Sequence, residues 1–147
     1  MRKKQQEIDK KNAAIAEEMR KAEERNQKII LAGDLKNKGD ELAFAERYIE
    51  SIDKYEEAKK LYTELDLKGE TEYLEYKIKR NEGYLYELQG DQAYKAKKWI
   101  DAEQKYKMSA DSFDKAGDIS EEVKSRVEKK LAKATRKVNK RWWQFWK

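Results

Sequence analysis

The side chains that most often carry out chemistry in proteins are largely missing from this sequence of 147 residues, which has no cysteine and no histidine. Without cysteine there is no disulfide, no thiolate nucleophile and no thiolate ligand for zinc. Without histidine the chain lacks the usual general base near neutral pH and the commonest metal ligand. The sequence therefore predicts a protein that is not an enzyme and that uses no cofactor and no metal ion.

Carboxylates are the reactive groups that remain, and several occur as doublets such as Glu17-Glu18 and Glu56-Glu57. Adjacent residues on a helix point about 100° apart, so the two members of a doublet do not converge on one substrate. An acid four positions before a lysine, as in Glu17 and Lys21, is typical of a solvated helix face. The sequence also has no calcium loop, Gly-rich phosphate loop or serine-nucleophile turn. We therefore interpret the carboxylates as surface charges.

The C-terminal stretch is the most distinctive candidate for binding. Residues 124–147 contain ten basic residues and one acid, in a chain whose formal net charge is +5. Four of the last seven residues are aromatic. Trp142 and Phe145 are predicted to continue an apolar helix face, whereas Trp143 and Trp146 lie beside it. The predicted tail surface consists of Lys137, Lys140, Arg141, Trp143, Trp146 and Lys147.

Three interpretations of this tail stay open. Basic charge with surplus tryptophan suits an anionic membrane surface. It also suits a nucleic-acid backbone, with bases stacked on the tryptophan rings, although this is the less favoured partner. In the third interpretation the tryptophan cluster packs back on the N-terminal helix and is structural. A membrane-surface or nucleic-acid binding module is thus the alternative to the function derived below.

Helical periodicity runs through almost the whole chain, and no proline interrupts it. The pattern predicts five helices, at roughly 3–46, 48–66, 71–97, 99–116 and 118–145. We expect Gly69 and Gly117 to be the left-handed residues that end the second and fourth helices. Asp118 is predicted to cap the fifth helix, with Glu121 completing a capping box.

Residues 1–31 predict a helical extension. Apolar residues recur there every seven positions, at Ile8, Ile15, Ala22 and Ile29. Met19 adds to this stripe, but Asn12 and Asn26 interrupt it. The pattern indicates a thin coiled-coil seam or a solvated helix.

The expected location is the cytoplasm, with the cytoplasmic face of a membrane as the alternative. No apolar run approaches the 18 residues of a membrane span. The chain opens on Arg2-Lys3-Lys4, and a basic cluster at the start of a long helix is typical of the cytoplasmic flank of a membrane span.

An internal repeat occupies residues 32–116. Residues 39–51 align without gaps on residues 90–102, an offset of 51 residues. Farther along, Tyr55 aligns with Tyr106 and Tyr62 with Phe113. A repeat that keeps glycine, small and aromatic positions together indicates stacked helical hairpins.

The two copies resemble the tetratricopeptide repeat family, in which glycine and small residues let two antiparallel helices approach and aromatic residues fill the space beside them. The second copy carries the pattern as Tyr86, Gly90, Ala93, Trp99, Ala102, Tyr106 and Ser109. The first carries it as Leu35, Gly39, Leu42, Tyr48, Ser51, Tyr55 and Ala58. The offset of 51 residues is longer than the family's usual period of about 34.

The resemblance implies an all-α fold of antiparallel hairpins in a right-handed superhelix. A long N-terminal helix would precede them, and residues 117–147 would form a basic capping helix. It also implies a non-catalytic scaffold or adaptor for protein–protein interaction, whose groove is lined by the first helix of each hairpin and holds a protein or peptide partner.

The groove residues implied by positional match are Lys36, Asp40, Ala43, Phe44, Tyr84, Glu87, Asp91, Tyr94 and Lys95. Family members that clamp a chaperone's C-terminal carboxylate carry asparagine where Asp40 and Asp91 stand here. An anionic tail would meet like charge at those positions, so we predict that such a ligand is disfavoured.

Overall fold

The computed structural model of the chain describes residues 1–146, which form five α-helices. They are α1 (Arg2–Phe44), α2 (Tyr48–Glu64), α3 (Lys68–Lys95), α4 (Trp99–Ala116) and α5 (Glu121–Trp146). The described residues contain no strand, which confirms the predicted all-α class. Every helix end lies within three residues of its predicted position.

Three of the four connections are tight turns of one kind, the Schellman motif. Each has a residue with positive φ just after the helix: Glu46 (59°), Asp66 (56°) and Lys97 (60°). The next N–H donates to a carbonyl five residues back, as from Arg47 to Leu42 at 2.9 Å. The predicted role of Gly69 is wrong, because Asp66 takes the left-handed position and Gly69 already belongs to α3.

The fourth connection, between α4 and α5, confirms Gly117 as a left-handed residue, with φ of 90°. The predicted N-terminal cap of α5 is wrong. Ser120 rather than Asp118 caps this helix, since its Oγ accepts the N–H of Val123 at 3.3 Å. The carbonyl of Asp118 instead accepts the hydroxyl of Tyr76 at 3.0 Å, which holds this loop against α3.

The helices alternate in direction, and each one packs mainly on its neighbours along the chain. The core between α1, α2 and the first half of α3 consists of Ala32, Tyr55, Ala58, Tyr62, Leu74 and Ile78. A second cluster joins α4 to α5 through Ala102, Tyr106 and Ala134, with Ala93 and Tyr94 of α3 packed against it. Because α3 is long, it contributes to both hairpins.

The repeat found in the sequence is also a repeat of structure. A Cβ atom on Gly39 would lie 2.5 Å from the ring of Tyr55, and one on Gly90 would lie 2.6 Å from the ring of Tyr106. The Tyr55 hydroxyl donates to Asp40. The Tyr106 hydroxyl donates to Asp91 at 2.7 Å. These equivalent contacts establish two helical hairpins built on one pattern.

The two ends of the chain leave this bundle in opposite directions. Residues 1–31 of α1 are exposed, and Lys28 forms an ion pair of 3.8 Å with Glu64 at the end of α2. At the other end, Lys137 of α5 lies 5.3 Å from the ring centre of Trp99, the first residue of α4. Val138 is the last buried residue of α5, so the residues after it extend past the start of α4.

Candidate functional site

The first candidate site is a concave cavity of about 370 Å³ between α1, the start of α2 and the middle of α3, which we call the first-hairpin groove. It is lined by Asp40, Ala43, Phe44, Tyr48, Tyr55, Lys77, Arg80, Asn81 and Tyr84. Four of the predicted groove residues thus lie together here: Asp40, Ala43, Phe44 and Tyr84. The end of α1 positions the first three of them, and α3 positions the fourth.

The apolar part of the first-hairpin groove is a set of aromatic rings. The side chain of Phe44 is 95% exposed. Nearby, Tyr48 stacks on Tyr84 with ring centres 5.7 Å apart, and Tyr84 meets Phe113 edge-on at 5.1 Å. Two rings of the groove are therefore fixed by packing, whereas Phe44 is free to be covered by another molecule.

The charge of the first-hairpin groove differs from the predicted one. Asp40 accepts hydrogen bonds from Tyr55 and from Lys77, whose Nζ lies 2.5 Å away. Burial raises the pKa of Asp40, but these two hydrogen bonds, together with the positive charges of Lys77 and Lys36, outweigh it and hold the pKa below its ordinary value of 3.8. Asp40 is thus ionised and already paired, which removes the basis for predicting that it repels an anionic ligand.

Arg80 adds a positive charge to the same groove. Its Nε is buried and has no hydrogen-bond partner among the described residues. Its guanidinium group lies 5.5 Å from the ring centre of Tyr76. Since Asp40 is neutralised by Lys77, the charge of Arg80 is left to attract a carboxylate.

The groove position of Glu87 is occupied by α5. Glu87 is 5% exposed, and Arg126 binds both of its carboxylate oxygens at 2.7 Å. Lys130 binds Glu87 at 2.7 Å and Asp91 at 3.0 Å. Burial raises the pKa of Glu87, but these cations outweigh it and keep the pKa below 4.5. In this structure the carboxylate is closed to a partner, contrary to the prediction for this residue.

The other predicted groove residues lie elsewhere. Asp91, Tyr94 and Lys95 line a separate cavity of about 350 Å³. Tyr94 also meets Trp99 edge-on at 4.9 Å and packs against the second core cluster, so it has a structural role as well. Lys36 lies over the ring of Tyr73, 5.0 Å from its centre.

The second candidate site is the aromatic tip, defined as Trp142, Trp143, Phe145 and Trp146. Their exposed fractions are 53%, 73%, 80% and 79%. The predicted exposure of Trp143 and Trp146 is confirmed, and so is that of Lys137, Lys140 and Arg141. Lys147 lies outside the described residues.

One prediction for the aromatic tip is wrong, and so is one of the three interpretations left open for it. Phe145 does not continue the buried face: it is 80% exposed, at the edge of a cavity that it shares with Ile100 of α4. Trp142 is half exposed beside Ile100. Nor does the cluster pack on the N-terminal part of α1, since that part leaves the opposite end of the bundle.

Sequence reasoning missed the lysines that pair with the groove aspartates. Lys77 binds Asp40 as Lys130 binds Asp91, so a set of tyrosine, aspartate and lysine recurs at both hairpins. Lys77 and Lys130 are 53 residues apart, near the repeat offset of 51. Aligning α5 on the first half of α3 at 53 residues rather than 51 would have revealed the relation, because an offset of 51 sets Lys77 against Glu128.

No protein-family model matches the chain, and no curated protein or solved structure compared with it matches either. None of the helices in residues 1–146 is both long and apolar enough to cross a membrane. The same residues hold no group of three or more acidic side chains that could bind a metal ion. What residues 1–146 show is an all-α protein of helical hairpins with two candidate binding surfaces.

Proposed function

We propose that this chain is a non-catalytic adaptor, related to the tetratricopeptide repeats, that binds a protein or peptide partner in the first-hairpin groove. The exposed ring of Phe44 is the observation that carries the proposal. A large apolar side chain left uncovered at the rim of a cavity, beside rings held in place by packing, is typical of a binding site. Water would be released from Phe44 when a partner covers it.

The lining of the groove favours one chemistry of partner. An apolar side chain would cover Phe44 and the stacked pair of Tyr48 and Tyr84. A carboxylate next to it would reach the guanidinium group of Arg80, which has no ion pair of its own within 4.0 Å among the described residues. The proposed partner is therefore a segment that carries an apolar residue and an acidic residue close together.

Affinity capture from the native source tests the groove. The variant Phe44→Ser is expected to lose the partner without a change in melting temperature, because the ring of Phe44 is 95% exposed. The matched control is Phe145→Ser, which removes a ring of similar exposure, 80%, at the aromatic tip. A protein that is captured equally well by Phe44→Ser and by the unaltered chain would refute the proposal.

The aromatic tip favours a second candidate function, binding to an anionic membrane surface. Three of its four side chains are at least 73% exposed, and Lys140 and Arg141 precede them. Each basic residue near such a surface contributes about 1 kcal/mol, and burial of the rings adds to it. Attraction by exposed charges is screened over about 8–10 Å, so high salt should weaken the binding.

Sedimentation with anionic liposomes tests the aromatic tip. The double variant Trp143→Ser, Trp146→Ser is expected to lose liposome binding and to keep its melting temperature, because no buried packing is removed. Phe44→Ser is the control and should bind liposomes normally. Binding of DNA or RNA without binding of liposomes at low salt would favour the nucleic-acid interpretation, and loss of stability in the double variant would favour a structural role.

A further inference from the structure

Residues 2–27 of α1 form a helix without tertiary support. Every residue from 1 to 31 is exposed, and Ala32 is where burial begins. A helix of this length extends about 40 Å from the bundle. Isolated helices are only marginally stable in water, and the exposed ion pairs of Arg20 with Glu17 and Glu24 add little. A partner helix would supply what is missing.

The extension carries a complete seven-residue repeat when its polar members are included. The d positions of the repeat are Ile8, Ile15, Ala22 and Ile29. The a positions are Gln5, Asn12, Met19 and Asn26. Asn12 and Asn26 therefore belong to the seam rather than interrupting it. Asparagine at an a position specifies register and oligomeric state in two-stranded coiled coils, at some cost in stability.

The bundle leaves this seam uncovered. The stripe of Ala32, Gly39 and Leu42 is the side of α1 that faces the hairpin. At 100° of rotation per residue, the a and d positions point in a direction more than about 100° away from that stripe. The side chains of Ile8, Ile15 and Met19 are correspondingly exposed. A second helix can approach the seam without meeting α2.

We propose that the N-terminal extension pairs with the extension of a second copy of this chain as a parallel, in-register, two-stranded coiled coil. In this arrangement Asn12 and Asn26 each face their own counterpart, and their amides can bond to each other. An antiparallel pair would set these amides against isoleucine or alanine and leave them unpaired.

The charges beside the seam favour the dimer at one place and oppose it at another, so changing them should change how tightly the dimer forms. In the parallel register, Lys4 of one copy faces Asp9 of the other, an attractive pair, whereas Glu18 faces Glu23, a repulsive one.

A seam about 38 Å long and 10 Å wide on each helix buries roughly 800 Å² in total, below the range of stable interfaces. We therefore expect a monomer–dimer equilibrium that depends on concentration.

Analytical ultracentrifugation of the full chain over a concentration series tests the dimer. Ile15→Asp is expected to abolish it. Glu18→Lys turns the repulsive pair into an attractive one at two places in the dimer and should tighten the dimer about tenfold. Lys4→Glu should weaken it. Its matched control is Lys10→Glu, which makes the same charge change on the side of the helix away from the seam and should have no effect.

Cross-linking tests the parallel register, because the chain has no cysteine of its own. Under mild oxidation Asn12→Cys is expected to form a dimer linked by a disulfide, whereas Lys10→Cys should not, since its side chains point apart. A chain that stays monomeric at every concentration would overturn the proposal. So would a dimer that forms equally well in Ile15→Asp, or one in which Asn12→Cys cross-links no faster than Lys10→Cys.

Discussion

Replacing Gly83 by alanine is expected to lower the free energy of unfolding by about 3 kcal/mol, as an overpacked core does. A Cβ atom at this position would lie 2.5, 2.6 and 2.8 Å from three ring carbons of Phe113. Phe113 is 1% exposed, and Ser109 one turn before it donates to the carbonyl of Gly83 at 2.7 Å. The ring of Phe113 cannot move away because it is buried, and the backbone at Gly83 cannot move without breaking the hydrogen bond from Ser109.

Gly69→Ala is the control for this experiment, because Gly69 lies in the same helix and a Cβ atom there would meet nothing within 4 Å. Alanine is the better helix former, so this variant should gain about 0.5 kcal/mol. Urea unfolding of both variants and the unaltered chain measures the difference. Equal stability of the Gly83→Ala variant and the unaltered chain would show that α3 and α4 are not in contact at this point.

Replacing Glu87 by glutamine is expected to cost about 2 kcal/mol. Removing one member of a buried ion pair usually costs about 3–5 kcal/mol, because the remaining charge stays unpaired. Here the side chains of Arg126 and Lys130 are 46% and 30% exposed, so both cations regain water and the cost is reduced. Faster amide exchange in α5 than in α2 would show that the capping helix is what loosens.

The effect of Glu87→Gln should depend on pH. The pKa of Glu87 in the folded chain is below 4.5, so its stabilisation is complete above pH 4.5 and is lost as the pH falls through that lower value. Lys130 has a pKa raised above 10.5, so its contribution is lost only as the pH rises beyond that value. Urea unfolding should therefore separate the two proteins at pH 7 more than at pH 3. A constant difference between them would contradict this role for the Glu87 carboxylate.

The contacts that could be predicted from the sequence are those in which a glycine on one helix meets an aromatic residue on the next. Gly39 with Tyr55 and Gly90 with Tyr106 are such pairs, and both are contacts in the structure. The same reasoning could have found the contact of Gly83 with Phe113. Gly83 lies seven residues before Gly90 on α3, and Phe113 lies seven residues after Tyr106 on the antiparallel helix α4. The two residues should therefore again lie opposite each other. This contact was missed because the repeat aligns Gly83 with Ala32, where no glycine appears.

Other features could not be predicted because they depend on where a neighbouring helix ends. The apolar stripe of α5 shows which side of the helix faces the bundle, and Val138 is buried as that stripe predicts. It does not show that α4 starts at Trp99, so that too little of that helix is left to bury Phe145. Likewise, a lysine such as Lys77 is ordinarily a surface residue, and it is buried here because α1 and α2 bring Asp40 and the ring of Tyr55 against it.

The neighbour-by-neighbour packing of the helices has a consequence for how the chain folds. Within residues 1–146, no hydrogen bond or ion pair of a side chain joins helices more than two apart along the chain, from Lys28–Glu64 at one end to Lys130–Asp91 at the other. Helical proteins with such local contacts close only short loops in the transition state and fold in microseconds to milliseconds. Because α3 contributes to both hairpins, its assembly is the step that couples them, and α5 can open and close again without the first hairpin unfolding.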